Sequence, residues 1–309
     1  MSTPSPTPQP PDQAHALDDV ALARPRRRVG QWVMNVIVFV IGAQALHFLI
    51  TNPRFEWEVV REFIFAPAVL QGLGVSVVLT AVGMSLGTVL GTVLALMRLG
   101  RFATARAVAG FYVWLFRGTP VLIQLLFWYN LAYLVPRISL GVPFGPELIS
   151  WDTNDLITPF IAAVLGLALN EAAYMAEIMR SGIQSVDAGQ QDAARALGFT
   201  PWRAFWRIVF PQAMRTVLPP AGSQVIGMLK GTSLVSVIAM TDLLFSVQTI
   251  YNRNFKVVPL LLVAVCWYLA VFTVLTLLQR RLESHFGRGH GAAPAKDVEA
   301  EVAVKGARP

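Results

Sequence analysis

Long runs without a single charged residue dominate this sequence and restrict the folds that it can adopt. Four runs contain no Asp, Glu, Lys or Arg: residues 29–52, 63–97, 118–136 and 257–279. A helix needs about 20 predominantly apolar residues to cross a bilayer, because the hydrocarbon layer is about 30 Å thick. Two further apolar segments, near residues 157–179 and 218–240, contain a few polar or charged residues. The sequence therefore predicts an all-α integral membrane protein with about six transmembrane helices.

Several span boundaries can be narrowed further. The second span is expected in the later part of its run, at residues 70–97. The third is expected at residues 118–136, preceded by a short helix at the inner membrane surface (107–116). The fifth is expected to begin after Arg215, near Pro219.

Basic residues indicate the orientation of the chain. Lys and Arg near the spans gather in the N-terminal tail, at 98–106, at 180–215 and at 280–281. Cytoplasmic loops of membrane proteins are enriched in these residues, so both termini are expected on the cytoplasmic side. The net charge of +7 has the same explanation and does not indicate nucleic-acid binding. Residues 1–28 and 284–309 are predicted to be disordered cytoplasmic tails.

Three glycines in the second run have a spacing typical of close helix contacts. Gly83, Gly87 and Gly91 follow one another at intervals of four residues. Small residues at this spacing let helix backbones approach closely in lipid. Packing within the chain is the interpretation that we favour, and a dimer face is the alternative.

A polar and basic stretch between the fourth and fifth spans breaks the hydrophobic pattern. Asp187 with Gln190 has the form of a capping box that opens a helix, and Gly198 suits the left-handed position past its end. Thr200 and Pro201 are typical of a cap and a first helical residue. In the second helix four residues share one apolar face by their spacing: Trp202, Phe205, Trp206 and Val209. The stretch predicts a helix–turn–helix at the membrane surface.

This stretch resembles the E-A-A, three residues, G, nine residues, I-x-L-P loop of the membrane subunits of bacterial ATP-binding-cassette importers. Asp192 stands for Glu and Phe210 for Leu, without insertion or deletion. The resemblance assigns coupling to a partner ATPase to Gly189, Gln190, Asp192, Ala193, Ala194, Gly198, Ile208 and Pro211. An ordinary interfacial helical hairpin is the alternative. The implied fold is a type I importer permease-like bundle with a cytoplasmic coupling helix.

Two further segments resemble the polar amino-acid branch of that family, which takes up histidine, glutamine, glutamate or arginine. The first is R-G-T-P, from Arg117 to Pro120. The alternative interpretation is a capped helix start that is bent by a proline, and we treat Arg117 and Pro120 as structural residues. The second, beginning at Lys230, matches the family's K-D-T-S-L with Gly231 in place of Asp.

Ionisable residues inside predicted spans need an explanation, because a charge in hydrocarbon costs several kcal/mol. Glu171 and Lys230 fall near the middle of the bilayer when depth is counted at about 1.5 Å per residue. We therefore expect them to face each other, either as a structural ion pair or as groups that meet an amino-acid substrate. The candidate substrate path comprises Asn170, Glu171, Lys230, Thr232 and Ser233, although the hydroxyls also suit helix packing. Glu177 and Arg180 have the spacing of a structural ion pair.

Several motifs are absent from the sequence. It contains no G-x4-G-K-[ST] phosphate loop, so we expect no ATPase site and no cofactor in this chain, with ATP bound by a partner subunit. The single cysteine, Cys266, and four scattered histidines offer no evident metal site.

The resemblance implies a subunit assembly and a division of the chain. The expected partners are a second permease subunit, identical or paralogous, two cytoplasmic ATPases, a periplasmic amino-acid-binding protein and membrane lipid. The expected location is the bacterial inner membrane. Residues 70–283 would form the transmembrane domain, with a five-helix core and a coupling loop at 185–215, and residues 29–69 an added helix and external loop. The alternative function is an ion-coupled secondary amino-acid transporter.

Overall fold

The structure, a computed structural model, describes residues 29–142 and 147–287. Its α-helices are α1 (Val29–Thr51), α2 (Trp57–Phe63), α3 (Pro67–Leu99), α4 (Ala103–Gly118), α5 (Val121–Tyr129), α6 (Leu131–Leu134), α7 (Thr153–Leu156), α8 (Pro159–Gln184), α9 (Ala188–Ala196), α10 (Pro201–Ala204), α11 (Phe210–Gly231), α12 (Leu243–Asn254) and α13 (Val257–Gly287). A π-helical turn (Phe205–Val209) and 3₁₀ turns (Pro53–Phe55, Thr232–Ile238) complete the helical part.

The termini bear on two sequence predictions. The tail predicted at residues 1–28, with its arginines, lies outside the described residues. The C-terminal boundary predicted at residue 283 lies inside α13, which ends at Gly287, and residues 288–309 are outside the described part.

The chain divides into two compact units between Phe55 and Glu56. The first contains α1, an apolar helix with exposed side chains at its described positions. Phe48 and Phe55 make an edge-to-face contact with ring centroids 5.9 Å apart. This helix is long and apolar enough to span a membrane, as the sequence predicts for its first span.

The second unit begins earlier than the predicted boundary at residue 70. Val60 of α2 and Val69 of α3 belong to one buried apolar cluster with residues of α12 and α13. The indole nitrogen of Trp267 donates a hydrogen bond of 2.7 Å to the Ile64 carbonyl. Residues 56–69 therefore belong to the main bundle and not to the added segment, because their apolar side chains are buried against it.

Four helices are each long and apolar enough to cross a membrane, and two bent helix pairs raise the number to as many as six among the described residues. The four are α1, α3, α8 and α13. The first pair is α4 with α5, bent by 101°, and the second is the helix 201–238 with α12, bent by 46°. The predicted total of about six spans corresponds to counting each bent pair as one span.

The third span differs from its predicted form. The short helix expected at the membrane surface is instead α4, whose Ala109 and Val113 are buried in the bundle. Its Tyr112 hydroxyl donates a hydrogen bond of 2.8 Å to the Leu169 carbonyl of α8. The position of α4 is set by its packing against α8. The prediction used the positions of charged residues along the sequence, which do not report a contact between two helices.

The fifth span begins earlier than predicted. One helix runs from Pro201 through the π-helical turn and α11 to Ile238, with Pro219 and Pro220 inside it. Prolines are tolerated inside transmembrane helices where neighbouring helices and side chains support the local backbone. The Ser223 hydroxyl and the Gln279 amide both donate to the Pro219 carbonyl, at 3.2 and 3.3 Å.

The three spaced glycines form the seam between α3 and α8. A Cβ atom at Gly87 would lie 2.8 Å from the Glu171 Cβ, and one at Gly91 would lie 2.6 Å from the Met175 Cβ. A Cβ at Gly83 would lie 3.4 Å from the Met228 side chain of α11 and 3.7 Å from the Leu167 Cβ of α8. The contacts lie within the chain, which confirms the packing interpretation over a dimer face.

The segment between the third and fourth predicted spans contains the strands of the described region. Strands β1 (Arg137–Gly141) and β2 (Glu147–Asp152) pair antiparallel, with an irregularity between Leu140 and Gly141. The threonine after β2 fixes the base of this hairpin: the Thr153 amide donates to the Pro136 carbonyl at 3.0 Å. Alternating apolar residues over so few positions gave too weak a pattern to predict strands.

Candidate coupling loop and membrane-embedded polar residues

The first helix of the candidate coupling loop, α9, begins at a capped residue as predicted. The Asp187 carboxylate accepts a hydrogen bond of 2.7 Å from the Gly189 amide. The reciprocal half of the predicted capping box is not formed. The Gln190 side-chain oxygen Oε1 instead accepts from the Gln212 side-chain nitrogen Nε2 at 3.4 Å, which connects α9 to α11.

The turn after α9 depends on Gly198. This residue has a φ of 76°, in the left-handed region that only glycine enters without strain. The Gly198 amide donates to the Arg195 carbonyl, and the Phe199 amide to the Ala194 carbonyl, both at 3.0 Å. These two bonds form a Schellman motif, so the glycine expected from the sequence has a definite structural role.

The second helix also begins as predicted, with Thr200 as its cap and Pro201 in its first turn. The π-helical turn then places residues of the predicted apolar face on different sides. Val209 is buried, whereas Trp202 and Trp206 are 70% and 45% exposed. A π turn contains an additional residue per turn, so a spacing that assumes a regular α-helix gives the wrong face beyond it.

The exposed side of the loop includes most residues that the resemblance assigns to coupling. Asp192 forms an exposed ion pair with Arg195 at 3.2 Å, and Leu197 is 76% exposed. The other exposed positions of the assigned set are Gly189, Gln190, Ala193, Gly198 and Pro211. Ala194 is buried and Ile208 is partly buried, so these two position the loop and do not contribute to its outer surface.

The base of the loop is held by the helices on either side. The Ser185 hydroxyl donates to the Thr216 hydroxyl at 3.1 Å, and Gly182 lies directly against the Val217 side chain. Glu177 and Arg180 form the expected ion pair, and Arg98 of α3 adds a second bond to Glu177 at 2.5 Å. The sequence did not indicate Arg98, because it lies on a different helix.

Arg117 and Pro120 lie at the break between α4 and α5. The Arg117 guanidinium lies 5.2 Å from the centre of the Tyr174 ring, roughly 15 Å before the end of α8 at 1.5 Å per residue. The Gln124 amide donates to the Phe116 and Thr119 carbonyls, at 3.0 and 3.1 Å. Arg117 is itself exposed, so it contacts this partly buried ring of α8 from the surface of the bundle.

Glu171 and Lys230 do not face each other in this structure. Glu171 is 5% exposed, its Cβ lies at the Gly87 notch, and its Oε1 atom has no hydrogen-bond partner among the described residues. The Lys230 ammonium instead lies 5.0 Å from the centre of the Phe272 ring of α13. The two side chains therefore have different neighbours, α3 for Glu171 and α13 for Lys230, and the predicted pairing is wrong.

The remaining candidates for the substrate path make local hydrogen bonds. The Thr232 and Ser233 hydroxyls donate to the Leu229 and Lys230 carbonyls, each at 2.7 Å. The Asn170 amide donates to the Phe116 carbonyl at 2.9 Å. A cavity of about 430 Å³ includes Lys230 and Ser233 in its lining, with Val265, Tyr268, Leu269 and Phe272.

A second cavity, of about 630 Å³, lies between α3, α8, α11 and α13. Its lining is mostly apolar and includes Met84, Met175, Met179 and Met214. Methionine side chains are unbranched and adapt to irregular space. This cavity therefore gives part of the interface between α11, α13 and the α3–α8 pair a deformable lining.

The sequence reasoning missed the buried carboxylate of Asp242. This residue is fully buried and caps α12, accepting hydrogen bonds from the Leu244 and Phe245 amides at 3.1 and 2.8 Å. The Tyr268 hydroxyl donates to it at 3.4 Å. The sequence signal for this cap is an aspartate directly before the apolar residues that begin α12.

Comparisons with known proteins place these features in a family. The family described as binding-protein-dependent transport system inner membrane component matches residues 87–288. The arginine transport system permease protein ArgU of Corynebacterium glutamicum is 40% identical over 291 residues, covering 93% of this chain and 90% of ArgU. The glutamine transport system permease protein GlnP of Escherichia coli is 32% identical, covering 74% of this chain and 97% of GlnP. The crystal structure of an amino acid ABC transporter with histidines superimposes with a TM-score of 0.61 at 32% identity, covering 72% of this chain and 95% of that chain.

Proposed function

Because the chain belongs to the family of inner-membrane components of binding-protein-dependent transport systems, we propose that it is the permease subunit of an ATP-driven importer of polar amino acids. The relatives named for arginine and glutamine transport support this substrate class. The observation that carries the coupling role is the loop between α8 and α11. It is capped at both of its helices and presents an exposed surface.

The proposed mechanism is alternating access driven through this loop. The helix that begins at Pro201 continues without interruption to Ile238 and includes Lys230. A displacement at the loop therefore acts on the membrane-embedded part of the same helix. ATP binding would close the partner ATPases and open the bundle outward, and hydrolysis would reverse the change.

The permease is proposed to act with other subunits. The sequence has no phosphate loop, which supports the assignment of ATP binding and hydrolysis to two separate cytoplasmic ATPases. A second permease subunit and a periplasmic amino-acid-binding protein would complete the importer. The same proposal places both termini on the cytoplasmic side of the bacterial inner membrane, since the basic coupling loop faces the ATPases.

The residues of the candidate path receive separate roles in this proposal. Lys230 and Ser233 line a cavity and would contact substrate. Glu171, with an unpartnered oxygen, would act in the same path after a rearrangement of α3 and α8 relative to α11. Asn170 and Thr232 hold helix backbones and would shape the path.

The added first helix is also part of the proposal. The match to ArgU covers 93% of this chain. The residues outside the match are too few to contain all of α1, so the match includes at least part of this helix. GlnP is matched over 97% of its own length but covers only 74% of this chain. These coverages support the interpretation of α1 as an addition to a shorter permease core.

The ion-coupled alternative is not favoured, because the similar solved structure is an amino acid ABC transporter. A reconstitution experiment separates the two mechanisms. The chain is incorporated into proteoliposomes with its ATPase and binding protein, and uptake of radiolabelled arginine, glutamine and histidine is measured. Uptake that requires ATP and both partners supports the proposal, whereas uptake by the chain alone along a proton or sodium gradient contradicts it.

Two variants test the proposed path in the same assay. Lys230→Met is expected to reduce uptake while the assembled complex remains stable, and Ser139→Ala in the hairpin serves as a matched control outside the path. If Lys230→Met and Glu171→Gln both left uptake unchanged, the path residues would be wrong although the importer assignment would stand.

A further inference from the structure

We propose that one face of the β1–β2 hairpin lies in the headgroup layer of the membrane, in the leaflet opposite the coupling loop. The inference depends on the membrane-spanning helices and not on the transported substrate. The two locations follow from α8: the hairpin precedes its N-terminus at Pro159, and the coupling loop follows its C-terminus at Gln184. The two ends of a spanning helix lie at opposite membrane surfaces.

The pairing register separates apolar and polar side chains onto opposite faces of the hairpin. Ile138 pairs with Trp151 and Leu140 with Ile149. Directly paired residues point to the same face, and residues two positions apart along a strand share it. These four residues therefore form one surface, defined here as the apolar hairpin face.

The opposite face is polar along the four regular pairs. Leu148, which is 74% exposed, has no partner in this register and lies at the irregularity beyond these pairs. Arg137 pairs with Asp152, and Ser139 with Ser150. A structure with one apolar and one charged or hydroxyl-bearing face is suited to lie in the plane of a membrane interface, with its apolar side toward the acyl chains. In a hairpin surrounded by water, the apolar side chains on one face would gain no stabilisation from burial.

The apolar hairpin face is not covered by the rest of the described chain. Leu140 is 62%, Ile149 54% and Trp151 40% exposed, and Ile138 is partly buried. A two-stranded hairpin alone is marginally stable in water. Contact with an external surface would therefore stabilise this hairpin in its paired form.

The attachment of the hairpin places it close to the bilayer. β1 begins directly after α6, and β2 is followed by α7 and the spanning helix α8. The Thr153 hydroxyl also donates to the Val135 carbonyl at 2.5 Å, which fixes the base of the hairpin beside the end of the preceding helix. Strands rise about 3.4 Å per residue, so the apolar hairpin face stays within roughly 17 Å of that membrane surface.

Neighbouring residues extend this surface toward the lipid. Tyr133 is 89% and Leu134 is 62% exposed, and both lie in α6, the short helix that precedes the hairpin. Tyr and Trp are enriched at membrane–water interfaces because their rings are amphipathic. Tyr133 and Trp151 therefore provide two anchors of the residue type that the headgroup layer favours.

Site-directed spin labelling tests the proposal in the assembled transporter. The single native cysteine, Cys266, is first replaced by serine. Nitroxide labels are then attached to single cysteines at Leu140 and Ile149 on the apolar face, with Ser139 and Ser150 as matched controls on the same strands. The complex with its ATPase is placed in nanodiscs of phosphatidylethanolamine and phosphatidylglycerol, and label collisions with O₂ and with a water-soluble nickel chelate are compared.

We expect a several-fold higher ratio of O₂ to nickel accessibility at Leu140 and Ile149 than at the two serines, because O₂ partitions into lipid and the chelate into water. Equal ratios on both faces would overturn the proposal. Low accessibility to both reagents at Leu140 and Ile149 would also overturn it, by showing that protein covers the face. Repeating the measurement with and without binding protein would then distinguish a second permease subunit from the binding protein as the covering surface.

A second measurement does not require new cysteines. Lipids brominated near the headgroup should quench the fluorescence of Trp151, measured as the difference between wild type and Trp151→Phe. A quenched difference signal supports the membrane contact, and an unquenched one contradicts it.

Discussion

Replacing Gly198 with alanine should weaken coupling without disturbing the membrane bundle. The backbone at this position has a φ of 76°, and a Cβ atom added there would meet no atom within 4 Å. The cost is therefore conformational and not steric. For an L-residue the left-handed conformation costs roughly 1–2 kcal/mol, and about 1.4 kcal/mol corresponds to a tenfold change in an equilibrium constant.

The expected effect is a reduction of about 5- to 30-fold in the ratio of the native turn to other turn conformations. The Schellman bonds at Gly198 and Phe199 would be lost in the other conformations, so the surface formed by Leu197 and Trp202 would be displaced. We expect lower ATP-dependent uptake and weaker association with the ATPase. The melting temperature of the bundle should remain close to wild type, because the loop lies outside the main apolar clusters.

Two control variants make this prediction specific. Gly198→Asn should retain more uptake than Gly198→Ala, because asparagine enters the left-handed region more readily. Gly110→Ala adds a methyl group to another open position, where no atom lies within 4 Å and φ is not in the left-handed region. It should behave as wild type. Wild-type uptake by Gly198→Ala, or equal defects in the alanine and asparagine variants, would refute the reasoning from backbone conformation.

Three further predictions concern packing and charge. Gly91→Ala should destabilise the fold by about 1–3 kcal/mol through overpacking, because its Cβ would lie 2.8 Å from a backbone carbonyl of α8. Gly74→Ala, at an open position, is the control. Equal melting temperatures for the two variants would contradict the packing argument. Glu177→Gln should cost about 0–1 kcal/mol by leaving its two arginine partners side by side. The loss should shrink at high salt because screening reduces the repulsion, and thermal unfolding at two ionic strengths measures it. Asp242→Ala should cost about 0.5–2 kcal/mol through the lost helix cap, whereas Asp242→Asn should retain most stability; similar losses in both variants would show that the cap is not the main contribution.

Local sequence patterns predicted the features that depend on a few neighbouring residues. The helix start at Thr200–Pro201, the left-handed Gly198 and the cap at Asp187 are all determined by backbone groups within one turn. The long apolar runs predicted the spanning helices for the same reason, since length and composition decide whether a helix can cross the hydrocarbon layer.

Features that depend on contacts between helices were not predictable in this way. The partner of Lys230 is Phe272 and not Glu171, because packing sets the rotation of each helix. The π-helical turn at Phe205–Val209 moved the tryptophans away from Val209, although the sequence spacing was regular. The predicted start of the fifth span near Pro219 is wrong, because side chains that support the helix there, such as Gln279, are remote in sequence.

The glycine seam between α3 and α8 limits which parts of the molecule can move during transport. Sliding one helix along the other would move Glu171 and Met175 out of the notches at Gly87 and Gly91 and onto larger neighbours. We therefore expect the two helices to move as one unit. In the proposed mechanism, opening and closing would occur where α11 and α13 meet this unit beside the methionine-lined cavity, so a crosslink between α3 and α8 should be harmless to turnover, whereas one between α3 and α11 should arrest it.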